Sequence, residues 1–375
     1  MKKSTGEKSI GFTSLNSQDV EFILVKKIVV FKPFKTDETG DNDNDYRHNI
    51  YVVEHIKNLK RQDSIFVKIQ TMQAVAFYLA YPIIWLVARL PFPIIYFISD
   101  CVYILLYYIV RYRREVIISN LKRAFPEWTD TEITALSKKS TRHFCDMFVE
   151  MVKSTGISRT EVKKRFVCDN VDEVNAFAKA GQPIVVMLAH QASYEWTIAL
   201  DDFLSFNSYV VYKPIKNQYF DTYIRKVRSK FGSELVPMKK AYSKLRESQK
   251  SSEAGLYALV ADQAPKPSSA QFFTQFFDQT TPVFMGAERM AKQYAMPVYF
   301  LQVEKVKRGH YKAHFEKITA NGGQEPEWMV TDSFFQKLEQ QIRLQPEYYL
   351  WSHKRWKTKP EDVKRAVELS PRVPQ

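Results

Sequence analysis

A histidine and a carboxylate five residues apart, His190 and Glu195, follow directly on a short apolar run, Pro183-Ile-Val-Val-Met-Leu-Ala189. An imidazole whose tautomer is fixed by a carboxylate can take a proton from a hydroxyl near neutral pH. The spacing restricts how these two could cooperate. On a regular helix five residues turn about 500°, which leaves the side chains about 140° apart. The pair therefore requires His190 in a loop and Glu195 in the first turn of the next helix, where the dipole favours a carboxylate. Glu195 would then hold one ring nitrogen and leave the other free as a base. The competing reading is a satisfied loop histidine beside a surface glutamate.

Other chemistries fit less well. No second histidine or cysteine cluster stands at ligand spacing from His190, so no metal is expected. His310 and His314 lie in a stretch, 309–315, that alternates as a strand does, and read as structural or surface residues. Ser193 lacks the flanking glycines of a nucleophile elbow, and there is no glycine-rich nucleotide loop. A base without a protein nucleophile suits a reaction in which the substrate's own hydroxyl attacks an acyl group delivered as a thioester.

The elements that must position such a site are legible from about residue 168 onward. Apolar runs at 184–188, 208–212, 256–261 and 298–303 read as strands, separated by helical stretches such as 219–231 and 286–294. That alternation predicts an α/β fold with a mostly parallel sheet flanked by helices. Ligands of such sheets sit outside the carboxyl ends of the strands, where His190 falls. Residues 112–165 read as helices, with Thr129-Asp-Thr-Glu132 as an N-cap segment. His143 and Glu150 in this region are seven apart, share a face and read as packing or surface residues.

Upstream, residues 74–88 carry no charge, and after Arg89 and Leu90-Pro-Phe-Pro93 the apolar character resumes to Val110 with Asp100 as its one charge. Arg111-Tyr-Arg-Arg114 follows at once. Tyrosines and Trp85 crowd the segment as in interfacial belts. This predicts a membrane anchor and then an interfacial or re-entrant helix over 72–114, with the next domain on the cytoplasmic side; a buried core hairpin is the alternative. Residues 1–71, which include the acidic run 37–45, are expected to be a polar extension, flexible or dispensable, with Met72 as an alternative start. The main domain is expected over 115–360, with a C-terminal tail over 361–375. The 375-residue chain has a net charge of +14 and a pI near 9.4. Such a surface suits anionic lipid or an acidic protein; no nucleic-acid recognition motif is present. Three irregularly spaced cysteines fit a reducing compartment.

Further residues have two readings each. Asp262 and Gln263 end another strand: Asp262 could position the site and Gln263 donate to an oxyanion, or the pair could form a turn. Arg228 lies on a basic helix that could grip a phosphate or face solvent. The aromatic block 272–277 with Phe284 could line an acyl channel or be core. The terminal run 348–357 could contact the interface or phosphate, or clamp the C-terminus.

Three blocks together resemble the bacterial lipid A biosynthesis (late) acyltransferases, within the lysophospholipid acyltransferase superfamily, from about Met72 to Pro360. They are His190-x4-Glu195; Ala261-Asp-Gln263 with Phe276-Phe277 and Thr281-Pro-Val-Phe-Met-Gly286; and Pro346-Glu-Tyr-Tyr-Leu-Trp-Ser-His-Lys-Arg-Trp-Lys357. Arg111-Tyr-Arg-Arg114 and Asn120-Leu-Lys-Arg-Ala-Phe-Pro126 also fit. The resemblance implies a glycerol-3-phosphate acyltransferase-like domain with N-terminal membrane-anchoring helices, at the cytoplasmic face of the inner membrane. It implies transfer of a fatty acyl chain from a thioester donor, acyl carrier protein or acyl-CoA, to a hydroxyl of a lipid A precursor. His190 carries over as general base, Glu195 as its partner and Arg228 as a ligand of the acceptor's phosphate; no metal or other cofactor is implied. The family reads His-aromatic-Gly-Asn-Trp-Glu, whereas here Gln191, Ala192, Ser193 and Tyr194 intervene. Ser193 stands where the family's Asn bonds. A lysophospholipid or aminolipid acceptor, a thioesterase and a non-catalytic lipid-binding homologue are the alternatives.

Overall fold

A computed structural model describes residues 70–250 and 254–374, so the expected polar extension lies, except for its last two residues, outside the described residues. Two apolar helices come first, α1 (Gln70–Arg89) and a segment, Phe92–Ile109, made of α2 (Phe92–Ile104) and a wider π turn (Leu105–Ile109). Pro91 separates them: it is the extended N-cap of α2 (ψ 154°), and its ring disfavours a helical Leu90. By length and composition both are long and apolar enough to cross a membrane. Their contacts differ. The inner side of α1 stacks Phe77 on Tyr219 and sets Phe77 and Tyr81 edge-to-face against Phe220 and Tyr223. The inner side of α2 is polar and tied down: Tyr96 donates to Glu150 at 2.8 Å, Ser99 to Asp146 at 2.7 Å, and Asp100 accepts from Arg308 and Arg142. Its outer side leaves Phe97 and Ile104 exposed, as the π turn leaves Ile109.

Helices α3 (Arg114–Ala124), α4 (Asp130–Lys153) and α5 (Arg159–Arg165) follow. Thr129 caps α4 in a full capping box with Glu132, which satisfies the first free N–H groups of the helix. The α/β core then runs β1 (Phe166–Cys168), α6 (Val171–Lys179), β2 (Ile184–Leu188), a 3-10 helix (Tyr194–Asp202), β3 (Asn207–Tyr212), α7 (Gln218–Arg228), β4 (Glu234–Pro237), α8 (Ala241–Lys250) and β5 (Gly255–Val260). A hairpin, β6 (Phe272–Phe276) and β7 (Gln279–Val283), precedes α9 (Gly286–Gln293), the long hairpin β8 (Val298–Lys307) and β9 (His310–Thr319), α10 (Met329–Leu344) and β10 (Glu368–Leu369).

Seven strands form one sheet in the order β1-β9-β8-β2-β5-β3-β4. Every neighbouring pair is parallel except β8 and β9, so the sheet is mostly parallel but mixed. The antiparallel pair comes from the tight turn at Gly309, whose φ of 73° suits glycine. β2 is central and its five residues are all buried, which is why it reads as an unbroken apolar run. Its alternate side chains enter different cores. Val185 and Met187 pack with Phe300, Phe334 and Leu338; Ile184, Val186 and Leu188 pack with Trp196, Tyr299 and Tyr311. Each such side chain contributes about 1.5–3 kcal/mol by leaving water. The segment expected as a tail supplies β10, which pairs with β6, and Ser370 there donates to the buried Asp332 at 2.6 Å.

Candidate active site

Strand register decides what meets His190. β2 and β5 pair in parallel through five rungs, from Ile184 with Leu256 to Leu188 with Val260. His190 and Asp262 each lie two residues beyond the last rung, so the sheet delivers them to the same level. His190 Nδ1 is 2.6 Å from Asp262 Oδ1. The other Asp262 oxygen accepts from Tyr349 Oη at 3.1 Å and Arg355 Nη2 at 3.2 Å. Burial pushes the Asp262 carboxyl up, but the His190 ring and its hydrogen bond, with Arg355, outweigh this and hold it well below the usual carboxylate range. An ionised Asp262 can only accept, so Nδ1 carries a hydrogen. The Gln263 amide nitrogen, which can only donate, lies 3.0 Å from His190 Nε2, so Nε2 presents a lone pair, and the Tyr194 ring meets the imidazole edge-to-face with centroids 4.6 Å apart.

The expected pairing of Glu195 with His190 is corrected by this geometry. Glu195 does sit in the first turn of a short helix, but both its oxygens bind Arg228, to Nε at 3.0 Å and to Nη2 at 2.5 Å. Proximity in sequence suggested the wrong carboxylate for the ring. The turn through Ala192 (φ 50°) leads Glu195 toward the end of α7, where Arg228 stands. Arg228 is therefore a bidentate partner of Glu195, with its side chain 26% exposed. Ser193 is fully buried, and its hydroxyl has no hydrogen-bond partner among the described residues.

The terminal aromatic-basic run closes the site from the other side. Leu350 N–H donates to His190 O at 3.1 Å and Ala192 N–H to Tyr348 O at 2.9 Å. Asn120 Nδ2 holds the carbonyls of Trp351 and His353, and Arg113 that of Ser352. His353 Nε2 accepts from Ala264 N–H at 3.2 Å; burial, with the charge of Arg355, pushes this imidazole down to about 4, so it is neutral at physiological pH. Tyr349 and Arg355 thus belong to the His190–Asp262 cluster, which the sequence reading did not anticipate. A cation buried to 3% exposure needs a carboxylate, and Asp262 was the strand-end carboxylate available.

A narrow cleft opens at His190, lined by Ile117, His143, Phe144, Met147 and Trp351, with a free volume of only about 10 Å³, room for about one water. The block 272–277 is core instead: Phe272, Phe273, Phe276 and Phe277 are buried, while Phe284 is exposed.

The family model of the bacterial lipid A biosynthesis acyltransferases matches residues 66–358, within a few residues of the span expected from the motifs. The chain belongs to this family. It is thus an acyltransferase by kinship, and the His190 cluster lies inside the matched region. No curated protein matches the chain.

Proposed function

We propose that this lipid A biosynthesis acyltransferase moves a fatty acyl chain from a thioester donor to a hydroxyl of a lipid A precursor, with His190 as general base. The observation that carries the reading is the register-aligned His190–Asp262 pair with an available Nε2. The acceptor hydroxyl takes the place of the Gln263 amide at Nε2. Its proton passes to Nε2 as its oxygen bonds to the thioester carbonyl carbon. Asp262 stabilises the imidazolium, and Gln263, displaced by one hydrogen-bond length, donates to the oxyanion. Collapse of the tetrahedral intermediate breaks the C–S bond, and the departing thiolate recovers the proton from His190. The acyl chain enters beside Ile117, Phe144 and Met147, whose side chains must part to admit it, since the cleft has room for about one water. Glu195 fixes Arg228, whose exposed part meets the acceptor's phosphate. The fold is read as glycerol-3-phosphate acyltransferase-like.

The donor is acyl carrier protein, an acidic partner suited to the charge of +14, with acyl-CoA the alternative. α1 anchors the chain in the inner membrane, and α2 lies in the interface. A spanning α2 would carry Asp100, Arg308 and Asp146 toward the bilayer centre, at a cost of several kcal/mol. Arg111, Arg113 and Arg114 set the domain on the cytoplasmic face. The Ser193 hydroxyl, without a hydrogen-bond partner among the described residues, favours one variation, a lysophospholipid or aminolipid acceptor, because the Asn usual at that position is lost.

Purified protein with each donor and acceptor, followed by mass spectrometry, tests the reading. Wild type should give acylated lipid A precursor, and His190→Ala should lose about 10²–10⁴-fold in rate. Acylation of a lysophospholipid or aminolipid alone would move the acceptor. Free fatty acid without acylated lipid would identify a thioesterase, and lipid binding without transfer a non-catalytic homologue.

A further inference from the structure

His143 lies outside the His190 cluster but walls the same crevice, and its surroundings define its protonation. Its Nδ1 is 3.2 Å from Lys305 Nζ, and its Nε2 is 3.3 Å from the Ala192 carbonyl. An ammonium can only donate and a carbonyl can only accept. His143 is therefore the neutral tautomer with hydrogen on Nε2, donating to Ala192. Burial and the Lys305 charge both push the ring well below the ordinary histidine range, in accord with that state. Lys305 is anchored in turn to Asp146 at 3.4 Å, which Arg308 also holds. The chain of contacts runs from a buried ion cluster to a single backbone carbonyl.

That carbonyl belongs to the strained turn of the motif. Ala192 has φ 50°, a region that side-chain-bearing residues disfavour. Its N–H is held by Tyr348 O, and the Tyr348 ring in turn packs edge-to-face on His143, with centroids 4.8 Å apart. On either side of Ala192 stand His190 and Glu195, which must point to different partners. We propose that His143, backed by Lys305 and Asp146, is a positioning residue: it clamps the Ala192 carbonyl and so holds the left-handed turn that directs His190 to Asp262 and Glu195 to Arg228. The proposal rests on His190 acting as the base.

Acyl-transfer kinetics on the detergent-solubilised full chain test it, using lipid A precursor and acyl carrier protein thioester. His143→Phe fills the space without a hydrogen bond; His143→Gln keeps a donor near Nε2. The expected result is a kcat lower by about 10–100-fold in His143→Phe with KM within threefold, and recovery to within about fivefold of wild type in His143→Gln. A His143→Phe kcat within threefold of wild type, or a His143→Gln variant no better than His143→Phe at equal thermal stability, would overturn it. Nitrogen-15 NMR of the imidazoles in wild type needs no variant to fold: hydrogen on Nε2 of His143 supports the clamp, and hydrogen on Nδ1 rejects it. His190→Ala is run alongside. If that variant keeps full activity, the general-base reading fails whatever His143 does.

Discussion

At the scale of single residues, two carboxylates stand within reach of the His190 loop, and only one serves the imidazole. Asp262 does so because it is buried, ionised and 2.6 Å from Nδ1. Asp262→Asn should therefore lower kcat by about 10²–10⁴-fold with little change in KM, because an amide can favour the wrong tautomer. Steady-state kinetics against donor and acceptor would check this, and a loss confined to KM would contradict it. His353 offers a test by pH. Its folded-state pKa is about 4 against an unfolded value near 6.5. Between those values the unfolded chain binds the extra proton, so this group's contribution to stability falls as pH drops from about 6.5 to about 4. His353→Gln should remove that part of the acid sensitivity, about 1–3 kcal/mol, in denaturant titrations at pH 7 and pH 5. His190 and Asp262 were both legible in the sequence as strand-end residues. Their meeting was not, since no local pattern states which strands are neighbours or in what register. An available signal was their equal offset from two apolar runs.

At the scale of elements, the parallel strands and the intervening helices were legible because buried strands are short apolar runs and the helices carry caps. The β6–β7 hairpin was read only as an aromatic block, because its turn does not announce itself. Phe277 and Asp278 both have positive φ, a turn usually built with Asn-Gly. It persists because Phe277 is buried and its N–H donates to Glu339 at 2.9 Å. Asp278→Gly should raise stability by about 0.5–1 kcal/mol, and Asp278→Val should lower it by 1 kcal/mol or more. Thermal unfolding would read both, and equal melting temperatures would speak against a strained turn. α2 was legible as apolar but not as docked: Tyr96, Ser99 and Asp100 acquire meaning only once Glu150, Asp146 and Arg308 are opposite them. Glu150, expected as a packing or surface residue, is a buried polar anchor that accepts from Tyr96 and Tyr311, and burial pushes its carboxyl up to about 7 despite those bonds.

At the scale of the whole molecule, apolar helices, basic charge and a crevice at a strand-end dyad fit one task, acyl transfer beside a lipid surface. The outer side of α2 and the π turn after it should then carry membrane affinity. Replacing Phe97, Ile104 and Ile109 by Glu should reduce co-sedimentation with anionic phospholipid vesicles at least tenfold. Unchanged binding would limit attachment to α1. The most direct test of the central claim is the mass of lipid A from the native host without this gene, complemented by wild type or by His190→Ala. The expected result is lipid A lighter by one acyl chain, restored by wild type and not by His190→Ala. Full restoration by His190→Ala would contradict it.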